Sequence, residues 1–156
     1  MPSVPFRCLY SVNIENLMFA GRNISATHAA FSSCRVIGTC AIMGQAVGTA
    51  VAQMVLDGET PKNINITKLQ QTLLYDDCYL PGVERKMSNV AEKAIVNNKI
   101  VMNGKDRKDE NLWIGKEGEF IELSYSEPEF VNGVRIIFDS DLNRNFVEWL
   151  NRSFQQ

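Results

Sequence analysis

The chain has 156 residues, of which 45% are hydrophobic and 22% charged, and its formal net charge is -2. This length suits one ordinary domain or two small ones, and the hydrophobic content is sufficient for a core. The near-neutral charge gives no general attraction to nucleic acids or anionic membranes, so neither partner is predicted. The N-terminal residues lack the pattern of a signal peptide, and they leave the localisation open.

Cysteine and histidine usage bears on metal and disulfide chemistry. The four cysteines have no Cys-x-x-Cys spacing, and only one histidine accompanies them. This pattern disfavours a zinc site and gives little support to a disulfide framework. We therefore predict no metal site.

Two regions of different composition follow each other along the chain. The first is apolar and rich in small residues, whereas the second is charged and alternates like an antiparallel sheet. The turn-forming pair Pro81-Gly82, followed by a charged stretch, separates them. The composition predicts two domains, at 5–81 and 87–156.

The first region begins with strand-like sequence. Phe6 to Tyr10, FRCLY, has the composition of a strand, and Asn16 to Ala20 is predicted as a short buried strand. The apolar run stops at Gly21, and Arg22 and further polar residues follow at once. A glycine at the carboxyl end of a strand allows close approach of the backbone to a ligand.

Two helices are predicted next. The first spans Thr39 to Leu56 and has stop signals in Gly58 and Pro61. The second is capped by Asn65 or Thr67. Its apolar face consists of Ile66, Leu69, Leu73 and Leu74.

The first predicted helix has an unusual face. No charged residue lies between Arg35 and Asp57, but polar residues and glycines interrupt the run, so we expect no membrane span. Gly44, Gly48 and Ala52, spaced i, i+4 and i+8, leave one face with almost no side chain. Close packing of another helix or a sheet is the commoner interpretation of such spacing. The alternative is a flat ligand over the first turn, where free N–H groups favour an anionic group.

Four polar residues near this helix have two interpretations each. Arg22 and Arg35 are suited to holding phosphate or carboxylate, although a single arginine is more often a solvated surface charge. His28 alone is more often structural than catalytic. Cys40 is either a reactive thiol at a helix start or a small apolar residue. The residues by themselves indicate an anionic, planar cofactor and no more.

The second region predicts two half-buried strands, because apolar and polar residues alternate there. The apolar positions are Ile121, Leu123 and Tyr125 in the first strand and Val134, Ile136 and Phe138 in the second. Further on, Asp139 to Asn143 is similar to the front of a calcium loop. Arg144 and Leu150 stand where such a loop needs glycine and glutamate, so a solvated turn is predicted.

The segment NLMFAGRNISATHAAFSSCRVIGTCAIMGQAVGTAVAQMV resembles the C-terminal flavin-binding segment of bacterial FAD-dependent oxidoreductases. Those enzymes carry a pattern of the type GRxxSxxHxAxxSxRVxxTCxxxGQAxGTA. The resemblance covers roughly Pro5 to Pro81. The matching residues are Gly21, Arg22, Ser25, His28, Ala30, Ser33, Arg35, Val36, Thr39, Cys40, Gly44, Gln45, Ala46, Gly48, Thr49 and Ala50.

This resemblance implies the strand–loop–helix end of an FAD-binding α/β domain, and thus an α+β fragment. The parent enzyme is expected to transfer hydride between FAD and an unidentified organic or carbohydrate-like substrate. The glycine-rich helix would point amides near Ala41 to Gly44 at the flavin. His28 is the expected group for proton transfer. The expected cofactor contacts are Gly21, Arg22, Ser25, Arg35, Thr39, Cys40, Gly44, Gln45 and Gly48.

The dinucleotide fingerprint G-x-G-x-x-G is absent from the chain. The chain is therefore expected to be a C-terminal piece of a longer enzyme, inactive alone and unable to hold FAD tightly. Its small-residue helix face is expected to favour self-association.

The stretch from Asn103 to Arg144 resembles the start of a discoidin-like, galactose-binding-like β-sandwich, which follows the flavin domain in some members. An incomplete antiparallel sandwich is expected over 87–156. A carbohydrate-binding or structural module without catalysis is thus the alternative function. Trp113 and Tyr125 are expected to be interface or core residues rather than a sugar platform.

Overall fold

The computed structural model describes residues 3–106 and 109–138. The chain divides into two compact units between Lys86 and Met87, called unit 1 and unit 2 below. Unit 1 contains a 3-10 helix, Phe6–Leu9, and three α-helices: α1 (His28–Cys34), α2 (Ile37–Asp57) and α3 (Ile66–Tyr75). Unit 2 contains α4 (Asn89–Glu92), β1 (Ile95–Val96), β2 (Leu123–Ser124) and 3-10 helices at Lys99–Met102 and Asp109–Asn111.

The N-terminal run FRCLY is not a strand, so that prediction is wrong. Phe6–Leu9 forms a 3-10 helix, and the N–H of Cys8 donates to the carbonyl of Pro5 at 2.9 Å. Proline suits the residue before a helical turn, because its fixed φ suits that turn and it has no N–H to leave unbonded.

The predicted buried strand over Asn16 to Ala20 is reduced to one antiparallel bridge between Tyr10 and Met18. Two further hydrogen bonds, Ser11 N–H to the Leu17 carbonyl and Phe19 N–H to the Leu9 carbonyl, hold this pairing. Both ends of the predicted strand are exposed. Alternation in the sequence could not show that these residues have a partner segment on one side only.

The first predicted helix is confirmed as α2, although it begins two residues earlier and ends one residue later. Gly58 ends it in the left-handed conformation, with φ 68°. The N–H groups of Gly58 and Glu59 both donate to the carbonyl of Met54. Glycine adopts this conformation without steric penalty, which is why the prediction of the stop was correct.

The second predicted helix is confirmed as α3, and Asn65 is its cap. The Asn65 side chain accepts a hydrogen bond from the N–H of Lys68 at 3.0 Å. Leu69, Leu73 and Leu74 of the predicted face are buried, whereas Ile66 is 38% exposed. Ile66 is the first residue of α3.

The end of α3 is closed by a left-handed residue that is not glycine. Asp77 has φ 61°. Its N–H donates to the Leu74 carbonyl at 3.2 Å, and the Cys78 N–H donates to the Leu73 carbonyl at 2.9 Å. These two bonds, with Leu73 and Cys78 packed in one cluster, form a Schellman motif. Burial raises the pKa of the Cys78 thiol.

The core of unit 1 lies between α2 and α3, with a second cluster beneath α1. The first cluster contains Ala50, Met54, Ile64, Leu69, Leu73 and Cys78. The second contains Leu9, Ile24, Cys34 and Met43. The buried Gln53 side chain joins the two helices, because its Nε2 donates to the Asn65 carbonyl at 3.2 Å. One face of α2 is thereby fixed against the rest of unit 1.

A small sheet holds unit 2 together. β1 and β2 pair antiparallel, with Ile95 opposite Ser124 and Val96 opposite Leu123. Asn97 extends this pairing, because its side-chain Nδ2 donates to the Phe120 carbonyl at 3.0 Å. The first predicted strand, over 121–125, is therefore present at two residues only.

The second predicted strand is wrong: Val134, Ile136 and Phe138 are 79%, 68% and 82% exposed and carry no strand pairing. The alternation is real, but it is not accompanied by strand pairing among the described residues. The described residues of unit 2 therefore form no β-sandwich. The calcium-like stretch, Asp139 to Leu150, lies outside the described residues.

By length and composition alone, α2 could cross a membrane. One such helix is weak evidence, since a core helix of a soluble protein passes the same test. In α2 only 22% of the apolar window is buried, and part of that burial is against α3.

The Schellman motif gives a prediction about stability. Asp77→Gly should raise the free energy of unfolding by about 0.5–1 kcal/mol, because glycine relieves the left-handed strain. Asp76→Gly is the matched control. Asp76 has φ -87°, so glycine there gains nothing and should destabilise by about 0.5 kcal/mol through unfolded-state entropy. Urea unfolding followed by circular dichroism measures both variants, and equal effects would contradict the assignment.

Candidate functional site

The candidate site lies where α1 ends and α2 begins. Arg35 ends α1, with its N–H donating to the Phe31 carbonyl at 3.1 Å. Val36 precedes α2, and its carbonyl accepts from the Cys40 N–H at 2.9 Å. The two helices are thus joined by a turn of two residues. The Cys40 thiol supports this turn by donating to the Cys34 carbonyl at 3.5 Å.

An open cleft of ≈ 610 Å³ lies at this junction. It is lined by Arg22, Phe31, Arg35, Val36 and Ile37. The Nε of Arg22 donates to the Arg35 carbonyl at 3.3 Å, so the loop that follows Gly21 is held against the end of α1. The remaining N–H groups of that guanidinium are left for a ligand, since this bond uses one donor of five.

The charges around the cleft are all positive. Within residues 3–106 and 109–138, neither Arg22 nor Arg35 forms an ion pair with a carboxylate, and both side chains are exposed. Val36 provides no side-chain cap, so α2 presents free amides at its N-terminus. The positive end of the helix dipole adds to the two guanidinium charges. The junction therefore favours an anionic group.

One expectation about these amides is wrong. The amides of Ala41 to Gly44 lie inside α2 and are used by its own hydrogen bonds, since the helix begins at Ile37. The free amides are those of Ile37, Gly38 and Thr39. The start of α2 was predicted too late because neither Val36 nor Ile37 has a capping side chain that would mark it in the sequence.

A continuous small and apolar face runs along α2 from this cleft. We call it the α2 stripe. Its residues are Ile37, Ala41, Gly44, Gly48, Val51 and Val55, which share one side of the helix at intervals of three and four. All six are exposed, Ile37 to 80% and Val55 to 77%. A Cβ atom built on Gly44 or Gly48 would meet no other atom within 4 Å.

Gly21 has a conformational reason for its identity. Its φ is 96°, a value that side-chain-bearing residues rarely adopt. Glycine thus allows the chain to turn from the Tyr10–Met18 pairing into the loop that carries Arg22. No atom lies within 4 Å of the place where its Cβ would be.

Several sequence-predicted site residues lie outside the cleft lining. His28 is exposed and is the first residue of α1, and Ser25 is exposed in the preceding loop. Thr39 is half-buried in the first turn of α2. The Nε2 of Gln45 donates to the Asp76 carbonyl at 3.4 Å, so this side chain connects α2 to the end of α3.

Three cleft residues, Phe31, Val36 and Ile37, were not predicted as site residues. One sequence signal could have pointed to Ile37: it falls on the same side of α2 as the glycines and the stripe valines. Apolar residues on a helix that packs on both sides are expected to lie in the core, so the pattern did not predict them as site residues.

The residues present suit a flavin in three respects. The open glycine face admits a flat group near the backbone. The two guanidiniums and the free amides suit an anionic edge. Phe31, Val36 and Ile37 supply apolar contact beside them. This set of groups fits a planar aromatic ring system with negative charge at one end.

Comparison with known proteins agrees with this chemistry. Residues 3–73 match the family described as FAD dependent oxidoreductase. The matched residues include α1, α2 and most of α3. No curated protein and no solved structure matches the chain. The match lends no support to a discoidin-like module or to a bacterial origin. It relates residues 3–73 to FAD dependent oxidoreductases and implies FAD as the cofactor of the parent protein.

Proposed function

We propose that unit 1 forms one wall of the flavin site of an FAD-dependent oxidoreductase. The observation that carries this proposal is the α2 stripe, an exposed helix face with two glycines at its centre that leads into a cationic cleft. When bound, FAD supplies hydride transfer to or from an organic substrate. The residues of this chain position the cofactor and substrate and stabilise charge.

The two stripe glycines support the proposal through their energetic effect. Each glycine inside a helix costs about 1 kcal/mol relative to alanine. Alanine would fit at Gly44 and Gly48, because open space surrounds both positions. The described residues give no packing reason for either glycine. Both are explained if another group must come close to the α2 backbone.

The cleft residues divide the remaining tasks. Arg22, Arg35 and the amides of Ile37 and Gly38 would stabilise negative charge on the cofactor or substrate. Outside the cleft lining, Thr39 would add a hydroxyl in the same turn, while Gly21 shapes the loop. Gln45 and Cys40 would act by holding α2 in place. The hydrogen bond of Gln45 connects α2 to the end of α3, and that of Cys40 connects α2 to the end of α1.

His28 remains our candidate for proton transfer. It lies at the start of α1, one turn before Phe31 of the cleft wall, and its ring is exposed. An exposed imidazole on a short, capped helix can reach a substrate held beside that helix. Ser25, exposed in the adjoining loop, is the accompanying candidate for a hydrogen bond to the bound molecules.

Unit 2 is proposed to have a packing role rather than a sugar-binding one. The Trp113 indole lies over Gly115, where an added Cβ would be 2.5 Å from its Cη2 atom. An indole covered by its own chain is poorly placed to act as an open sugar platform. We assign no catalytic step to residues 87–138.

The stripe glycines can be tested on the chain and on the parent protein. Gly44→Ala and Gly48→Ala should each stabilise the isolated chain by about 0.5–1 kcal/mol, as measured by urea unfolding. In the parent protein the same changes should lower the flavin content, measured by absorbance of the purified protein. Leu56→Ala, an exposed position near the end of α2 and outside the stripe, is the control and should leave flavin content unchanged. Full flavin occupancy in both glycine variants would overturn the proposal.

The role of His28 can be tested in the parent protein by the rate of flavin reduction. His28→Ala should lower that rate about a hundredfold and remove one limb of its pH profile. Thr27→Ala is the control, because Thr27 caps the same helix by accepting the Ala30 N–H and brings no titratable group. If both variants lower the rate equally without a change in pH profile, His28 acts only through helix position.

The chain itself should bind FAD weakly. It presents one wall of the proposed site, and it lacks the glycine-rich turn that grips a pyrophosphate. Titration of FAD into the purified chain, followed by flavin fluorescence, should show no saturable quenching at low micromolar concentration. Light scattering on the same samples should show self-association through the exposed stripe. Saturable quenching by monomeric chain would contradict both expectations.

A further inference from the structure

We propose that the cleft between α1 and α2 binds the carboxylate of an acidic substrate, with the apolar body of that substrate against Phe31 and Ile37. This rests on the proposed function, which it deepens by naming the substrate class. The cleft combines two guanidiniums with three apolar side chains in ≈ 610 Å³. A neutral polar substrate would make no use of the two guanidinium charges.

The electrostatic argument for an anionic ligand rests on Arg22 and Arg35. The hydrogen bond from Arg22 Nε to the Arg35 carbonyl holds the Arg22 guanidinium beside the backbone of the other arginine. Within residues 3–106 and 109–138 neither has a carboxylate partner, and no acidic residue lines the cleft. Both guanidiniums therefore have positive charge and N–H donors to offer to an anion. Guanidinium also has the planar donor geometry that a carboxylate matches.

The lining argues for a carboxylate on an apolar body rather than for a phosphate chain. Phe31, Val36 and Ile37 provide one side of the cleft, and Ile37 is 80% exposed. A pyrophosphate offers these side chains no apolar surface in return for their burial. An aromatic or aliphatic acid covers them while its carboxylate meets the arginines.

The experiment uses benzoate as the probe and the chain labelled with ¹⁵N. Amide shifts of Phe31, Ile37 and Gly38 are followed at constant ionic strength, with benzamide as the neutral probe of equal shape. Benzoate should give saturable shifts at these amides, and benzamide should bind at least about threefold more weakly. Equal binding of the two probes would overturn the proposal, since the cleft would then select apolar shape alone.

Two variants assign the effect to the cleft. Arg35→Gln should weaken benzoate binding roughly three- to tenfold, the range for one exposed charge-assisted contact. Arg35 donates to the Phe31 carbonyl through its backbone, so the turn should be retained. Arg22→Lys, which keeps the charge but loses the fork of donors, is the second variant. Arg7→Gln is the control, because Arg7 lies on the 3-10 helix outside the cleft.

Inorganic pyrophosphate is the third probe and separates substrate from cofactor. If it shifts the same amides at lower concentration than benzoate does, the cleft serves the phosphates of the cofactor and the substrate assignment is overturned. That result leaves the flavin proposal standing. The flavin proposal fails separately, if the parent protein carries no flavin absorbance. Retained benzoate binding in Arg35→Gln would also overturn the carboxylate assignment.

Discussion

The structure of unit 1 depends on α2 having two different faces. One face carries Met43, Ala50, Gln53 and Met54, all buried against the rest of unit 1. The other is the stripe, where one alanine and two glycines lie between exposed aliphatic residues. Because burial of the first face fixes the orientation of the helix, the stripe and the free amides at Ile37 are fixed with it. The geometry of the cleft follows from α2 packing on α3.

The α1–α2 turn is the second feature that determines the geometry of the cleft. Helices joined by two residues have little freedom in their relative direction, and hydrogen bonds from Arg22 and Cys40 fasten this join from both sides. The carbonyl of Arg35 thereby accepts a hydrogen bond from Arg22, and the carbonyl of Cys34 accepts one from the Cys40 thiol. This arrangement gives Arg22 a structural task as well as a charge to offer. A surface arginine without such a bond would lose more entropy on binding an anion.

Local patterns allowed α2 and α3 to be predicted, because Gly58 and Asn65 mark a stop and a cap by mechanisms that act within a few residues. The strands were predicted poorly, since pairing depends on distant partners that alternation does not reveal. Val134 to Phe138 has the alternation but forms no strand in the part of the chain that the structure describes. Of the cleft lining, Arg22 and Arg35 were predicted as candidates from residue type. Ile37 required knowledge of which side of α2 is covered, and Phe31, on α1, required knowledge of how α1 turns into α2.

Cys78 at the end of α3 has a kinetic consequence. Burial raises the pKa of its thiol, and only the thiolate reacts readily with alkylating reagents. Its backbone N–H bonds the Leu73 carbonyl, so the thiol gains access to solvent when the last turn of α3 opens. The labelling rate of Cys78 therefore reports how often that turn opens, without any change to the sequence. Cys34 is also buried, so peptide mapping of the label separates its slow phase from that of Cys78, and half-buried Cys8 and Cys40 supply the fast phase.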